Sequence, residues 1–138
     1  MAFHSYISYI DKLAWIFIRD KKILMTRSRG KDVYYVGGGK REAGESDEQA
    51  ILREVREEFR VDLIPHTIRY LATFEAQAHG KLEGVAVRMT CYTGEYVGTL
   101  APGAEIEELR WCTYSDREKV ALVDKIIFAW LKGRELID

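Results

Sequence analysis

The chain predicts an α/β fold, a mixed β-sheet sandwiched between helices, on two observations. Apolar, aromatic-rich runs of strand length come before, between and after two segments of helical periodicity. Each helical segment carries an apolar side that must be covered, and a sheet is the surface that can cover it. With 138 residues, 47% hydrophobic and 31% charged, the chain can bury one core without disulfide or metal staples. No repeat, low-complexity tract or linker interrupts it, so a single domain over residues 1–138 is expected.

Leu13-Ala14-Trp15-Ile16-Phe17-Ile18 reads as a buried strand, Arg19-Asp20-Lys21-Lys22 as a turn, and Ile23-Leu24-Met25-Thr26-Arg27 as its hairpin partner. Val33-Tyr34-Tyr35-Val36 is a third strand, running into a glycine loop at Gly37-Gly38-Gly39-Lys40. Ser46 and Gln49 are spaced as a capping box, and Asp47 and Glu48 lie in the first turn, where the helix dipole favours negative charge. The first helix is therefore placed at about residues 47–59, with Ile51, Val55 and Phe59 as its apolar stripe.

Two further strands, 68–77 and 85–96, flank a loop around His79 to Gly84. Residues 98–104, containing Pro102-Gly103, form a loop, and 109–113 a short strand. Ser115-Asp116-Arg117-Glu118 reads as a second capping box, opening a helix that runs to about Leu131 and stops at Gly133. Leu122, Ile126, Ile127, Ala129 and Trp130 recur on its apolar side, which packs on the sheet.

Composition sets bounds on function. A net charge of −1 gives no general attraction to nucleic acid or membrane, so substrate phosphates must be met by local positive charge. Cys91 and Cys112 are too few for a disulfide framework or zinc site and read as buried small residues. No segment is long and apolar enough to span a bilayer, and the N-terminus, broken by His4, Tyr6 and Asp11, lacks a signal-peptide pattern, so a cytoplasmic location is expected. His4, His66 and His79 show no ligand spacing and read as structural or exposed.

The first helix carries the chemistry. Glu54, Glu57 and Glu58 stand at i, i+3 and i+4 and share one face. Their mutual repulsion costs a few tenths of a kcal/mol per pair, about the amount a stabilising pair would contribute, and a bound divalent cation reverses its sign. Such a run is most often a solvated face salted by Arg53, Arg56 and Arg60. The preceding glycines overturn that reading, because they let backbone groups approach an ion or phosphate closely, at fixed spacing from the acids.

The stretch from Gly39 to Val61 resembles the signature box of the Nudix (MutT-like) hydrolases, G-x5-E-x7-R-E-U-x-E-E-x-G-U, with U a bulky aliphatic residue. Gly39, Glu45, Arg53, Glu54, Val55, Glu57, Glu58 and Val61 fall in register. Arg60 departs, standing where the family usually has glycine, so it must adopt a left-handed conformation at a cost of about 1 kcal/mol or end the helix differently. Gly37 stands where many relatives have proline, which implies a more flexible approach to the loop.

The resemblance implies an α/β/α sandwich and metal-assisted hydrolysis of a phosphoanhydride, with Mg²⁺, or Mn²⁺ in its place, as cofactor. Carried over by position, Glu57 and Glu58 are metal ligands and Glu54 is a ligand or the base for water. A backbone carbonyl of Gly38 or Gly39 is a further ligand, and Arg53 orients a carboxylate, Glu45 being the candidate. Glu105, in an acidic loop before Trp111, is the first choice for an additional ligand or base, with Glu107 and Glu108 read as solvated loop acids.

Substrate phosphate falls to Arg27, Gly38 and Lys40, the alternatives being a surface arginine closing a hairpin with Arg29 for Arg27 and a solvated lysine for Lys40. Trp15, Tyr34, Tyr35 and Phe74 are candidate stacking residues, although an aromatic on a buried strand is more often core. The expected partner is a small nucleotide such as a (d)NTP, and a homodimer is a modest expectation. The competing class is a nucleotide-sensing or protein-interaction module on the same fold, which the three intact acids argue against.

Overall fold

The computed structural model describes residues 8–78, 80, 81 and 83–138, so His4, Tyr6, His79 and Leu82 lie outside it. Strand β1 (Ser8–Trp15) is central, pairing antiparallel with β4 (Tyr35–Gly39) and parallel with β7 (Val85–Thr93). The main sheet runs β2-β3-β4-β1-β7-β6, with β9 (Ile106–Cys112) on β3. Here β2 is Ile18–Arg19, β3 is Lys22–Ser28 and β6 is Arg69–Gln77. Two short strands, β5 (Asp62–Leu63) and β8 (Tyr96–Val97), pair separately. Helix α1 (Asp47–Phe59) covers one face and α2 (Leu122–Gly133) the other, giving the mixed sheet between helices that the pattern predicts.

Alternation along one apolar run builds both layers. Leu13, Trp15 and Phe17 join the cluster under α1, while Ala14 and Ile16 join the one under α2. That double burial is why residues 13–18 read as one strand. They are two, because the pairing of β1 with β4 and β7 ends at Trp15 and β2 begins at Ile18, paired with β3. The hairpin is β2–β3, closed through Asp20 and Lys21 at φ 52° and 59°, rather than a pairing of 13–18 with 23–27.

Helix α1 has the predicted limits. Ser46 Oγ accepts the Gln49 amide at 3.1 Å and Gln49 Oε1 accepts the Ser46 amide at 2.9 Å, completing the capping box. Ala50, Ile51, Val55 and Phe59 are buried against the sheet. Arg60 adopts the left-handed conformation, φ 56° and ψ 32°, and its amide still donates to Arg56 O.

Three expectations fail locally. The glycines 37–39 are strand rather than loop, paired with Trp15, Ala14 and Leu13 in β1. Gly37 is no flexible approach: a Cβ there would stand 2.2 Å from the Phe59 ring. The second helix begins at Leu122, not near Ser115. Tyr114–Lys119 form a 3₁₀ turn capped by Thr113 and Asp116, and Val120 is then drawn into a bridge beside Tyr34, which forces extended backbone before α2 can start.

The register of α2 shifts with it. Val123, Ile127, Phe128 and Leu131 are buried, while Leu122 and Ile126 are 46% and 43% exposed and Ala129 faces solvent. Gly133 is the last helical residue, and Arg134 caps the helix before Glu135 turns the chain at φ 59°. Cys91 and Cys112 are buried free thiols, as expected. Among the described residues no helix is long and apolar enough to cross a membrane.

Candidate active site

The site forms where the acidic face of α1 meets β4. The contact is close because β4 has no side chains there: a Cβ on Gly39 would stand 2.6 Å from the Glu54 carboxylate. The glycines admit carboxylates to the strand, which is a different use from the one their loop-like spacing suggests. Gly38 donates its amide to Glu58 Oε1 at 2.6 Å.

Arg53 organises the acids. Its Nε and Nη2 grip Glu45 Oε2 and Oε1 at 2.7 and 2.9 Å, the bidentate pair anticipated for it. Nη1 reaches Glu54 Oε1 at 2.9 Å and Glu57 at 3.4 Å, and Nη2 also donates to Lys40 O at 3.0 Å. The guanidinium holds the Glu45 carboxyl down at about 2, helped by the Glu42 amide.

The other acids are pushed the opposite way. Burial raises Glu54 above its ordinary value. It raises Glu58 to about 8, opposed by the Gly38 hydrogen bond and aided by the like charges of Glu54 and Glu57. As placed, no three His, Cys, Asp or Glu groups among the described residues converge on one point, because Arg53 holds Glu54 and Glu57 and Gly38 holds Glu58. The donor chemistry nevertheless fits a hard divalent cation. Three carboxylates crowd one partly buried face, where a bound cation offsets both their desolvation and their repulsion.

A cleft of about 440 Å³ brings Glu105 to this face, lined also by Ser28, Arg56, Glu57, Glu58, Arg60 and Ile106. Glu107 and Glu108 are strand residues of β9 rather than loop acids. Glu107 pairs with Arg29 at 3.0 Å; Glu108 pairs with Arg27 at 3.1 Å and accepts the Tyr34 hydroxyl at 2.5 Å. Among the described residues Glu105 alone of these three acids makes no side-chain bond. Arg27 thus stands with its charge engaged across the β3–β9 ladder, and Lys40 is exposed.

Of the aromatic candidates, Trp15, Tyr34 and Phe74 are core, at 1%, 7% and 8% exposure. Tyr35 is half-buried and lines a second cavity, about 110 Å³, between the sheet and the first turn of α2. Lys12 lines it too, its Nζ 6.0 Å from the centre of the Tyr35 ring. His66 is exposed.

Two residues escaped the sequence reading. Lys12 lends its positive charge to both Glu58 and a buried acid of α2, Asp124. Asp124 is fully buried; Oδ1 accepts the Val36 amide at 3.1 Å, while Oδ2 has no hydrogen-bond partner among the described residues. Burial raises it to about 7. The available signal was an acid three and four residues before Ile127 and Phe128, on the face those two bury.

A model of the NUDIX domain family matches residues 12–131. An uncharacterised Nudix hydrolase of Bacillus subtilis strain 168 is 24% identical over 121 residues, spanning 86% of this chain and 77% of its own. The solution structure of the E. coli ORF135 protein superposes with a TM-score of 0.71 at 27% identity, covering 95% of this chain and 96% of that one. A MutT Nudix hydrolase from Burkholderia pseudomallei has the same fold, with a TM-score of 0.73 at 19% identity over 88% of this chain and 96% of its own. A family match over most of the length, on a chain that keeps the acidic helix and its glycine strand, makes this protein a member of the Nudix hydrolase family, whose chemistry is the hydrolysis of pyrophosphate bonds.

Proposed function

We propose that the protein is a divalent-metal-dependent nucleotide pyrophosphohydrolase acting on a nucleoside triphosphate or related small nucleotide. The observation that carries this reading is the shared cleft in which Glu57 and Glu58 of α1 face Glu105, beside a strand stripped of side chains. Glu54, Glu57 and Glu58 and a Gly39 carbonyl would hold Mg²⁺ or Mn²⁺. When bound, the metal supplies neutralisation of the anhydride oxygens.

The chain's own groups do the rest. Arg53 fixes Glu54 and Glu45 in place, so that little reorganisation is needed when substrate arrives. Glu105, exposed and unpaired among the described residues, is the base: it takes a proton from water as the water oxygen bonds to phosphorus and the bridging P–O bond breaks towards the leaving phosphate. Tyr35 and Lys12, which line the cavity of about 110 Å³ beside α2, are assigned to the group beyond the phosphates. Arg27, Gly38 and Lys40 are assigned to phosphate, Arg27 exchanging Glu108 for it.

A panel of (d)NTPs, dinucleoside polyphosphates and ADP-sugars, incubated with Mg²⁺ and analysed for products, tests the proposal beside Glu58→Gln. Phosphate or pyrophosphate release that the variant loses is the expected result. Nucleotide binding with no hydrolysis across the panel would instead make the protein a nucleotide sensor.

A further inference from the structure

We infer that Arg60 and Arg29 form a two-sided brace on the loop that carries Glu105, so that these two guanidiniums set where Glu105 stands relative to Glu57 and Glu58. The inference deepens, and rests on, the role proposed for Glu105.

Five consecutive residues of that loop are tied through their backbones. The Ala101 amide donates to Phe59 O at 3.0 Å and the Gly103 amide to Glu58 O at 2.9 Å, satisfying carbonyls that the end of α1 leaves without helical partners. Pro102, between them, has no amide to give, and its carbonyl accepts Arg60 Nε at 3.0 Å. From the other side Arg29 holds the next two, its Nε donating to Ala104 O at 3.1 Å and its amide to Glu105 O at 3.0 Å. Arg29 Nη1 continues to Glu107 at 3.0 Å.

The loop lies very close to the helix, since a Cβ on Gly103 would stand 1.7 Å from Glu57 O. The Glu105 carboxylate, by contrast, makes no bond among the described residues and lines the cleft with Glu57, Glu58 and Arg60. A loop tied at each residue from 101 to 105, around a carboxylate without a bond among the described residues, is how a reactive group is positioned without being neutralised. Arg60 explains why this chain tolerates a side chain in left-handed backbone at the helix end. Glycine would turn the chain as well, but would leave the Pro102 carbonyl without this donor.

The test compares Arg60→Gly, Arg60→Lys and Arg29→Ala with the wild type, by hydrogen–deuterium exchange over residues 101–106 and by steady-state hydrolysis with Mg²⁺. Arg60→Gly should speed exchange of the Ala101 and Gly103 amides about tenfold and lower kcat about tenfold at constant KM. Arg60→Lys, still able to donate to Pro102 O, should recover most of both, and in a Glu105→Gln background Arg60→Gly should cost nothing further. Unchanged exchange in Arg60→Gly and Arg29→Ala overturns the brace, whatever happens to turnover. If Glu105→Gln alone keeps full turnover, the role of Glu105 fails, while faster exchange in Arg60→Gly still supports the brace.

Discussion

Gly38 of β4 and Glu58 of α1 are joined by a 2.6 Å hydrogen bond that only a glycine can make here. Gly38 has φ +138°, and a Cβ would stand 1.9 Å from the Leu13 carbonyl oxygen of β1. Gly38→Ala must therefore strain the backbone or part β4 from β1, and about 3 kcal/mol or more of folding stability should be lost. Urea unfolding measures it. A variant within about 0.5 kcal/mol of the wild type would show that β4 can move without cost.

A cation held by the α1 acids, as proposed, would stabilise the fold as well as serve catalysis. Adding Mg²⁺ should raise the unfolding free energy in proportion to RT ln(1 + [Mg²⁺]/Kd), about 2.7 kcal/mol at a hundredfold excess over Kd. Glu57→Gln and Glu58→Gln should lose that response together with hydrolysis. Without metal, Glu58→Gln should be at least as stable as the wild type at pH 7, because burial and two like charges hold the folded carboxyl up at about 8, so that folding must take up a proton that the amide does not need. A clearly less stable metal-free variant would show that the Gly38 bond outweighs them.

Arg53 reaches Glu45, Glu54, Glu57 and the Lys40 carbonyl at once. Lysine keeps the charge but not the fork, so Arg53→Lys should lower kcat about 10- to 100-fold with a small change in stability. Glu45→Gln should show the same kind of loss, and the double variant should fall short of the product of the two, since both break one bidentate pair. Fully multiplicative losses would separate the two residues.

What could be read from sequence depended on how local the cause was. The limits of α1 and its capping box were legible because Ser46, Gln49 and the apolar stripe act within one helix. The three acids and Arg53–Glu45 were legible because their spacing is helical or lies within one box. The split of residues 13–18 into two strands was not, since every residue of that run is buried or half-buried and periodicity carries no mark of where β1 gives way to β2. The delayed start of α2 was hidden for a tertiary reason, the bridge from Tyr34 to Val120. Glu105 stood out as an acid near a tryptophan strand, but that Glu107 and Glu108 are tied by Arg29 and Arg27 depends on a ladder between segments about eighty residues apart.

Asp124 supplies the clearest pH signature. Its carboxyl is buried among β4, β1 and β7, with Lys12 the opposite charge that favours its ionised form and Tyr35 and Cys91 titrating close enough to feel it. Burial outweighs Lys12 and the Val36 amide, raising it from 3.8 to about 7 in the folded protein. Below pH 3.8 both folded and unfolded chains keep the proton, and its contribution to stability is complete. Between there and about pH 7 only the unfolded chain releases it, so stability falls as pH rises, by at most about 1.4 kcal/mol per pH unit, and levels off above. Acids held low by partners, Glu45, Glu108 and Asp116, work in the opposite sense as pH falls, so the wild type alone shows a mixture. Asp124→Asn keeps an oxygen for the Val36 amide and removes only the titration, and subtracting its urea midpoints from those of the wild type at pH 4.5, 6 and 8 isolates the term. The difference should move in favour of the variant at each step upward in pH; a difference that stays flat would mean that Asp124 folds already ionised.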